Sequence, residues 1–309
     1  MKVWRGWIEL WDRREPVTAL ALVRILVALV LLYDYLVMWK LDLIEPLWSL
    51  PPDGYATPND RWAVRWFGGG PDAAFGLWLA TVIALVAMAA GALTRVACVA
   101  FVLLSAQFAH LGPDADRGID QLLRVVVAIL ALSRSHAMWS VDAWLWRRLG
   151  RPMSPIVPAW PRYLLFAQLV WVYFSGGHNK TGTEWGPYDG FTALANTLAD
   201  PHFARFAPDW VAALHPLTRV ATALTITFEL TSPLLIVFTY YAATADRPGT
   251  LRRWCNRLRL RAIWIALGIS FHVGIAITMQ LGIFPLGMLA LYPIVLLPRE
   301  LDRFGARIR

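Results

Sequence analysis

Residues 17–39 read VTALALVRILVALVLLYDYLVMW. An α-helix rises 1.5 Å per residue, so about 20 such residues cross the hydrocarbon core of a bilayer. The run is long enough to span, and bulky residues follow it where a signal peptide would have a small-residue cleavage site. It therefore reads as a retained first span rather than a cleavable leader.

The rest of the chain agrees. Of its 309 residues, 58% are hydrophobic and 16% charged, whereas soluble domains carry about a quarter of their residues as charges. Too few charges remain to cover a globular surface. A soluble fold, a disordered tail, a coiled coil and a nucleic-acid module are all excluded. The two cysteines, Cys98 in an apolar run and Cys255 in an arginine-rich loop, support neither a disulfide nor a metal site. The expected class is an all-α polytopic membrane bundle forming a single domain over residues 1–309.

About eight apolar runs are candidate spans, near 17–39, 73–93, 95–111, 119–133, 162–177, 217–241, 261–280 and 282–297. The second and third, and the last two, are separated by so few residues that each pair should form a tight helical hairpin. Sorting lysines and arginines by alternate sides places 20 on one side and 7 on the other, with Arg24 and Arg124 inside spans. By the positive-inside rule both termini are then expected in the cytoplasm, with Lys180 on the extracytoplasmic face of the cell membrane. The net charge of +8 is thus an orientation signal and implies no nucleic-acid partner. Trp4, Trp7, Ile8 and Trp11 share a face at helical spacing within residues 1–16, an expected interfacial helix on the cytoplasmic surface. Phe203, Phe206, Trp210 and Leu214 suggest a second surface-lying helix on the outer side. A short basic cytoplasmic tail is expected over 298–309.

Ionisable groups inside spans cost about 2.5–3.5 kcal/mol each on insertion scales, so each needs a reason. Arg24 and Asp34 lie ten residues apart in the first span, about 15 Å, too far to pair. Asp120 and Arg124 stand at i, i+4 and could pair within one helix. Glu229 lies in the sixth run and His272 in the seventh. Structural pairing, for example of Arg24 with Glu229, accounts for single members; a polar cavity accounts better for the set.

The segment Tyr173-Phe174-Ser175-Gly176-Gly177-His178-Asn179-Lys180-Thr181-Gly182-Thr183-Glu184-Trp185 is the most informative. Its glycines permit close approach of a helix or ligand. Lys180 is the one lysine beyond residue 40. A desolvated lysine, unlike an arginine, can give up its proton and act as a general base. The competing reading is a snorkelling interfacial lysine.

Four blocks in order carry a resemblance to the superfamily of vitamin K-dependent gamma-carboxylase and its shorter bacterial relatives, the horizontally transferred transmembrane (HTTM) family. They are Ser140-Val141-Asp142-Ala143; Ser175-Gly176 with Lys180 and Trp185; Phe228-Glu229-Leu230 with Pro233-Leu234; and Phe271-His272 through Leu281-Gly282-Ile283-Phe284-Pro285-Leu286-Gly287-Met288-Leu289. In the carboxylase the matching lysine deprotonates vitamin K hydroquinone; oxygenation of that anion then yields a base strong enough to remove a glutamate γ proton, and the carbanion captures carbon dioxide. The resemblance therefore implies a reduced quinone of the vitamin K or menaquinol type as cofactor, no metal, a carbon–carbon lyase or quinol epoxidase activity, and Lys180 as the base. His272, Glu229, Tyr173, Trp185, Arg24, Asp120 and Arg124 are the expected quinol-site residues.

Three departures narrow the implication. Asn179 stands where the carboxylase has a second lysine, a histidine near the fourth span has no counterpart in Asp116-Arg117-Gly118-Ile119-Asp120, and only a short tail follows the last predicted span. With no luminal or periplasmic substrate domain expected, protein glutamate carboxylation is not. A quinol-dependent reaction on a small, lipid-soluble or peptide substrate at the non-cytoplasmic side is. The second reading is a non-catalytic membrane factor for maturation or export of a secreted peptide. A transporter ranks third, because no inverted repeat is present.

Overall fold

The computed structural model describes residues 9, 11–57 and 62–305. The expected helix bearing Trp4, Trp7 and Ile8, and the end of the basic tail, lie outside them. The described chain is helical at all eight apolar runs, and it divides into two compact units, residues 1–165 with 290–309 and residues 166–289.

In the first unit α1 (Thr18–Lys40), α2 (Pro71–Ala90), α3 (Thr94–Leu111) and α4 (Gly118–Leu132) form the helical body. The expected hairpin between α2 and α3 is present. Gly91 caps α2 in the left-handed conformation (φ 69°), where a Cβ would lie 2.3 Å from Ser140 Cβ and 2.4 Å from Arg24 Nη1. Only glycine fits that corner. One short antiparallel ribbon, absent from the all-helical expectation, pairs Arg14–Pro16 with Ile156–Pro158. It is secured by an ion pair sequence reading missed: Arg162 grips Glu15 through two nitrogens, one at 2.8 Å, and donates to the Ile294 carbonyl at 2.8 Å. Both partners are buried.

In the second unit the chain leaves α6 (Trp160–His178), which follows α5 (Val141–Arg148), and continues through short helices at Ala193–Ala199 and Asp209–Ala213. Next come α7 (His215–Leu230), α8 (Leu234–Ala243), α9 (Leu260–Thr278) and α10 (Phe284–Ala290). The predicted single span at 217–241 is a bent pair, α7 and α8 meeting at 68° across Thr231-Ser232-Pro233. Proline lacks the amide that would continue the ladder. The predicted surface helix through Phe203 and Leu214 is not formed as one element. Pro208 interrupts it, and residues 203–205 instead bond to the end of α9, with Arg205 N donating to Thr278 O at 3.0 Å and Gln280 N to Phe203 O at 2.8 Å. The last predicted span, 282–297, is a seven-residue helix followed by a 3-10 turn at Tyr292–Val295, broken by Pro293.

Four described helices, α1, α2, α3 and α9, are long and apolar enough to cross a membrane, or five crossings if the bent pair is one span. The protein is a multi-pass, all-α membrane protein.

Candidate functional site

The intramembrane charges of the first unit satisfy one another or backbone carbonyls. Arg24 is fully buried and pairs with no carboxylate among the described residues: its guanidinium donates to Met88 O (2.8 Å), Ala89 O (3.3 Å) and Trp139 O (2.6 Å). It is a cation at the C-terminus of α2, where the helix dipole favours one. Asp142 does the converse at the N-terminus of α3, accepting from the amides of Leu93 (2.8 Å) and Thr94 (3.0 Å) and from the Thr94 hydroxyl (2.8 Å). That explains the Ser140-Asp142 block as a structural clasp.

The i, i+4 pairing of Asp120 with Arg124 does not form. Asp120 turns back to cap its own helix, accepting from Arg117 N at 3.0 Å and Arg117 Nε at 2.8 Å, while Arg117 Nη2 reaches buried Asp34 at 2.5 Å. These carboxylates hold the Arg117 guanidinium charged more firmly than usual: burial opposes its charge, but the hydrogen bonds to Asp120 and Asp34 outweigh it. Arg124 pairs with Asp116 at 2.6 Å.

The second unit holds the remaining candidates. Lys180, two residues past the end of α6, sets its Nζ 2.9 and 2.6 Å from the two carboxylate oxygens of Glu229 and 3.3 Å from Gly176 O. Glu229 is the penultimate residue of α7 and buried. Gly177 makes the approach possible: a Cβ there would lie 2.9 Å from Glu229 Cβ and 3.1 Å from Leu230 N. Ser232 Oγ, at the bend, donates to Val170 O on α6 at 3.1 Å. The Trp185 ring lies 5.0 Å from Lys180 Nζ, a cation–π contact.

Tyr173 and His272 are joined by a buried 2.7 Å hydrogen bond between the phenol and Nε2. Around them Phe228 stacks on Trp264 (4.4 Å between centroids), and Tyr173 meets both edge-on.

Beside the ion pair opens a cavity of about 560 Å³, within the ~300–1,000 Å³ range of small-molecule sites. Lys180, Glu229 and Trp185 contribute to its wall, and the remaining wall is mostly apolar, from Leu198, Trp210, Leu217, Ile275, Met279 and Phe284 among others. Tyr173 and His272 are absent from its lining; Phe271, next to His272, is on it. Trp210, which the sequence reading placed only on a surface helix, lines the cavity, and its indole Nε1 is buried without a hydrogen-bond partner among the described residues. No metal-binding group of histidine, cysteine and carboxylate side chains occurs among the described residues.

An apolar helical body, with intramembrane charges capped internally in one unit and one charge pair beside a mostly apolar cavity in the other, defines a polytopic membrane protein. The HTTM domain model matches residues 13–299, and the chain belongs to that family. No curated protein and no solved structure matches it.

Proposed function

We propose that the cavity binds a lipid-soluble, hydroxyl-bearing ring compound of the reduced-quinone type, and that Lys180 and Glu229 together handle its proton. The observation that carries this reading is the placement of one lysine–carboxylate pair against a mostly apolar cavity. A reduced quinone, when bound, supplies an acidic hydroxyl and two electrons. The residues suit such a group: apolar side chains for a ring and tail, the Trp210 N–H as a donor, and Trp185 beside the cation.

The pairing refines the role of Lys180. An ammonium held by a carboxylate is not itself a base. Transfer of one proton from Nζ to Glu229, across 2.6–2.9 Å, leaves two neutral partners and a lone pair on Nζ. Neutral partners avoid the desolvation cost of two buried ions. Lys180 Nζ can then accept a hydroxyl proton. In the membrane we place this face on the extracytoplasmic side of an eight-span bundle with both termini in the cytoplasm, as the 20 to 7 division of cations favours.

The test is quinol oxidation in membranes carrying wild type, Lys180→Ala or Glu229→Gln. Loss of turnover with either variant at equal folded abundance is expected; unchanged turnover with Lys180→Ala removes the mechanism.

A second reading, a non-catalytic factor that accompanies a secreted peptide, draws on the same ion pair, since Lys180 already has a carboxylate, a carbonyl and an aromatic face. Under it, a periplasmic peptide is captured equally by wild type and Lys180→Ala.

A further inference from the structure

A second cavity, of about 480 Å³, lies wholly in the first unit, lined by Arg95, Arg134, His136, Trp146, Arg151 and Ser154, among others. No carboxylate lines it. Among the described residues the guanidinium groups of Arg95, Arg134 and Arg151 have no ion pair or hydrogen-bond partner. The nearby acid, Asp142, is already engaged by the amides of Leu93 and Thr94 and by the Thr94 hydroxyl. His136 Nδ1 is buried there without a partner. All three arginines are exposed, so water screens part of their mutual repulsion, and an anion held among them adds attraction that water does not supply.

Guanidinium forks match the oxygens of a phosphate in geometry as well as charge. The flank of the cavity says which phosphate. Trp146 lines it, and on the same short helix, α5, Leu145 is exposed, with exposed Leu149 just beyond. Tryptophan and leucine beside arginine are the composition of the headgroup layer, where rings meet acyl chains and cations meet phosphates. A free phosphate uses the arginines but not the apolar flank; a phospholipid uses both.

We infer that this cavity is a headgroup site for an anionic phospholipid, its phosphate held by Arg95, Arg134 and Arg151 and its acyl chains laid against the tryptophan and leucine side chains of α5. His136 lines the same cavity, its Nδ1 buried, and burial first, then Arg95, keeps its imidazole below the usual range.

The test is native mass spectrometry of the full chain in neutral detergent after incubation with vesicles of equal parts phosphatidylglycerol and phosphatidylcholine. About tenfold preferential retention of phosphatidylglycerol is expected, falling to near parity in Arg134→Gln/Arg151→Gln and unchanged in Arg253→Gln/Arg257→Gln. Equal retention of both lipids by wild type, or full preference in the double variant, overturns it. Should the double variant aggregate, Arg151→Gln alone, exposed and outside any helix, is expected to lower the preference measurably. Inorganic phosphate serves as the other arm: stabilisation by phosphate without any phosphatidylglycerol preference overturns the lipid assignment.

Discussion

Lys180 Nζ lies 2.6 Å from Glu229 Oε2, joining the end of α6 to the bend between α7 and α8. The two residues are 49 positions apart, yet one contact aligns two helices and puts the only charges on an apolar cavity wall. Removing either partner alone leaves the other poorly solvated. Breaking a buried pair costs about 3–5 kcal/mol, and the Lys180 side chain, 23% exposed, retains some water, so its own exposure lowers the figure for Glu229→Gln. Lys180→Met is expected to destabilise more than Glu229→Gln, because it strands the more buried charge. The double variant Lys180→Met/Glu229→Gln should be more stable than Lys180→Met, because it removes the stranded carboxylate. Thermal unfolding of the four proteins in one detergent measures this, and additive losses would mean the two residues do not interact.

Neighbouring glycines on α6 should respond differently to the same change. A Cβ on Gly177 would sit 2.9 Å from Glu229 Cβ, whereas one on Gly176 would come no closer than 3.5 Å to its neighbours. Gly177→Ala is expected to cost about 1–3 kcal/mol by overpacking and to push Glu229 from Lys180. Gly176→Ala is expected to be near neutral, since alanine is the better helix former. A melting series showing equal losses would contradict the close approach at Gly177.

Replacing Arg24 by leucine keeps most of the bulk and removes three hydrogen bonds. The carbonyls of Met88, Ala89 and Trp139 would each lose a charged donor. Since hydrogen bonds to charged groups contribute about 1.5–3 kcal/mol each, a loss of about 3 kcal/mol or more is expected. Arg24→Lys, with one nitrogen instead of a fork, should recover only part of it.

The pH dependence should carry a signature of His136. Its imidazole is held below the ordinary range by burial, then by Arg95, with Arg24 and Arg134 adding to and Asp142 opposing the shift. The unfolded chain, with the ordinary value of about 6.5, therefore binds the proton first as pH falls. The stability due to neutral His136 is complete above that value and declines below it, toward the lower folded value. Melting temperature measured from about pH 7.5 to about pH 5.5 should fall more in wild type than in His136→Gln, whose side chain does not titrate. Parallel curves would show that His136 is not so held.

Much of this architecture is legible in the sequence because a bilayer imposes length and polarity rules that apolar runs display directly. Helices form at residues 18–40, 71–90, 94–111 and 260–278, close to the runs expected for them. What escapes is set by partners distant in the chain or by short-range backbone competition. Nothing near Arg24 announces that carbonyls 64 and 115 residues away will hold it. Asp120 had a cation four residues ahead but stands at the third position of its helix, where a carboxylate folds back onto the free amide at the start. The 203–214 periodicity is real, yet Pro208 stops it from becoming one helix. In the candidate site Lys180, Glu229 and Trp185 were visible as chemistry at suggestive positions, whereas Trp210 and the direct Lys180–Glu229 contact depend on how α6 and α7 meet.

The three carbonyls that receive Arg24 also bear on how the chain enters a membrane. During synthesis α1 emerges before α2 and well before Trp139, so its guanidinium first meets lipid with none of its acceptors made, at about 2.5–3.5 kcal/mol on insertion scales. We expect the first span to linger at the translocon, or sit shallow with Arg24 reaching for water, until the end of α2 is translated. Glycosylation mapping of truncated nascent chains should show poor integration of α1 when the chain stops before Met88 and firm integration once residues through Trp139 are present. An Arg24→Leu chain should integrate fully at the shorter length. If both truncations insert alike, the late-arriving carbonyls have no part in anchoring the first span.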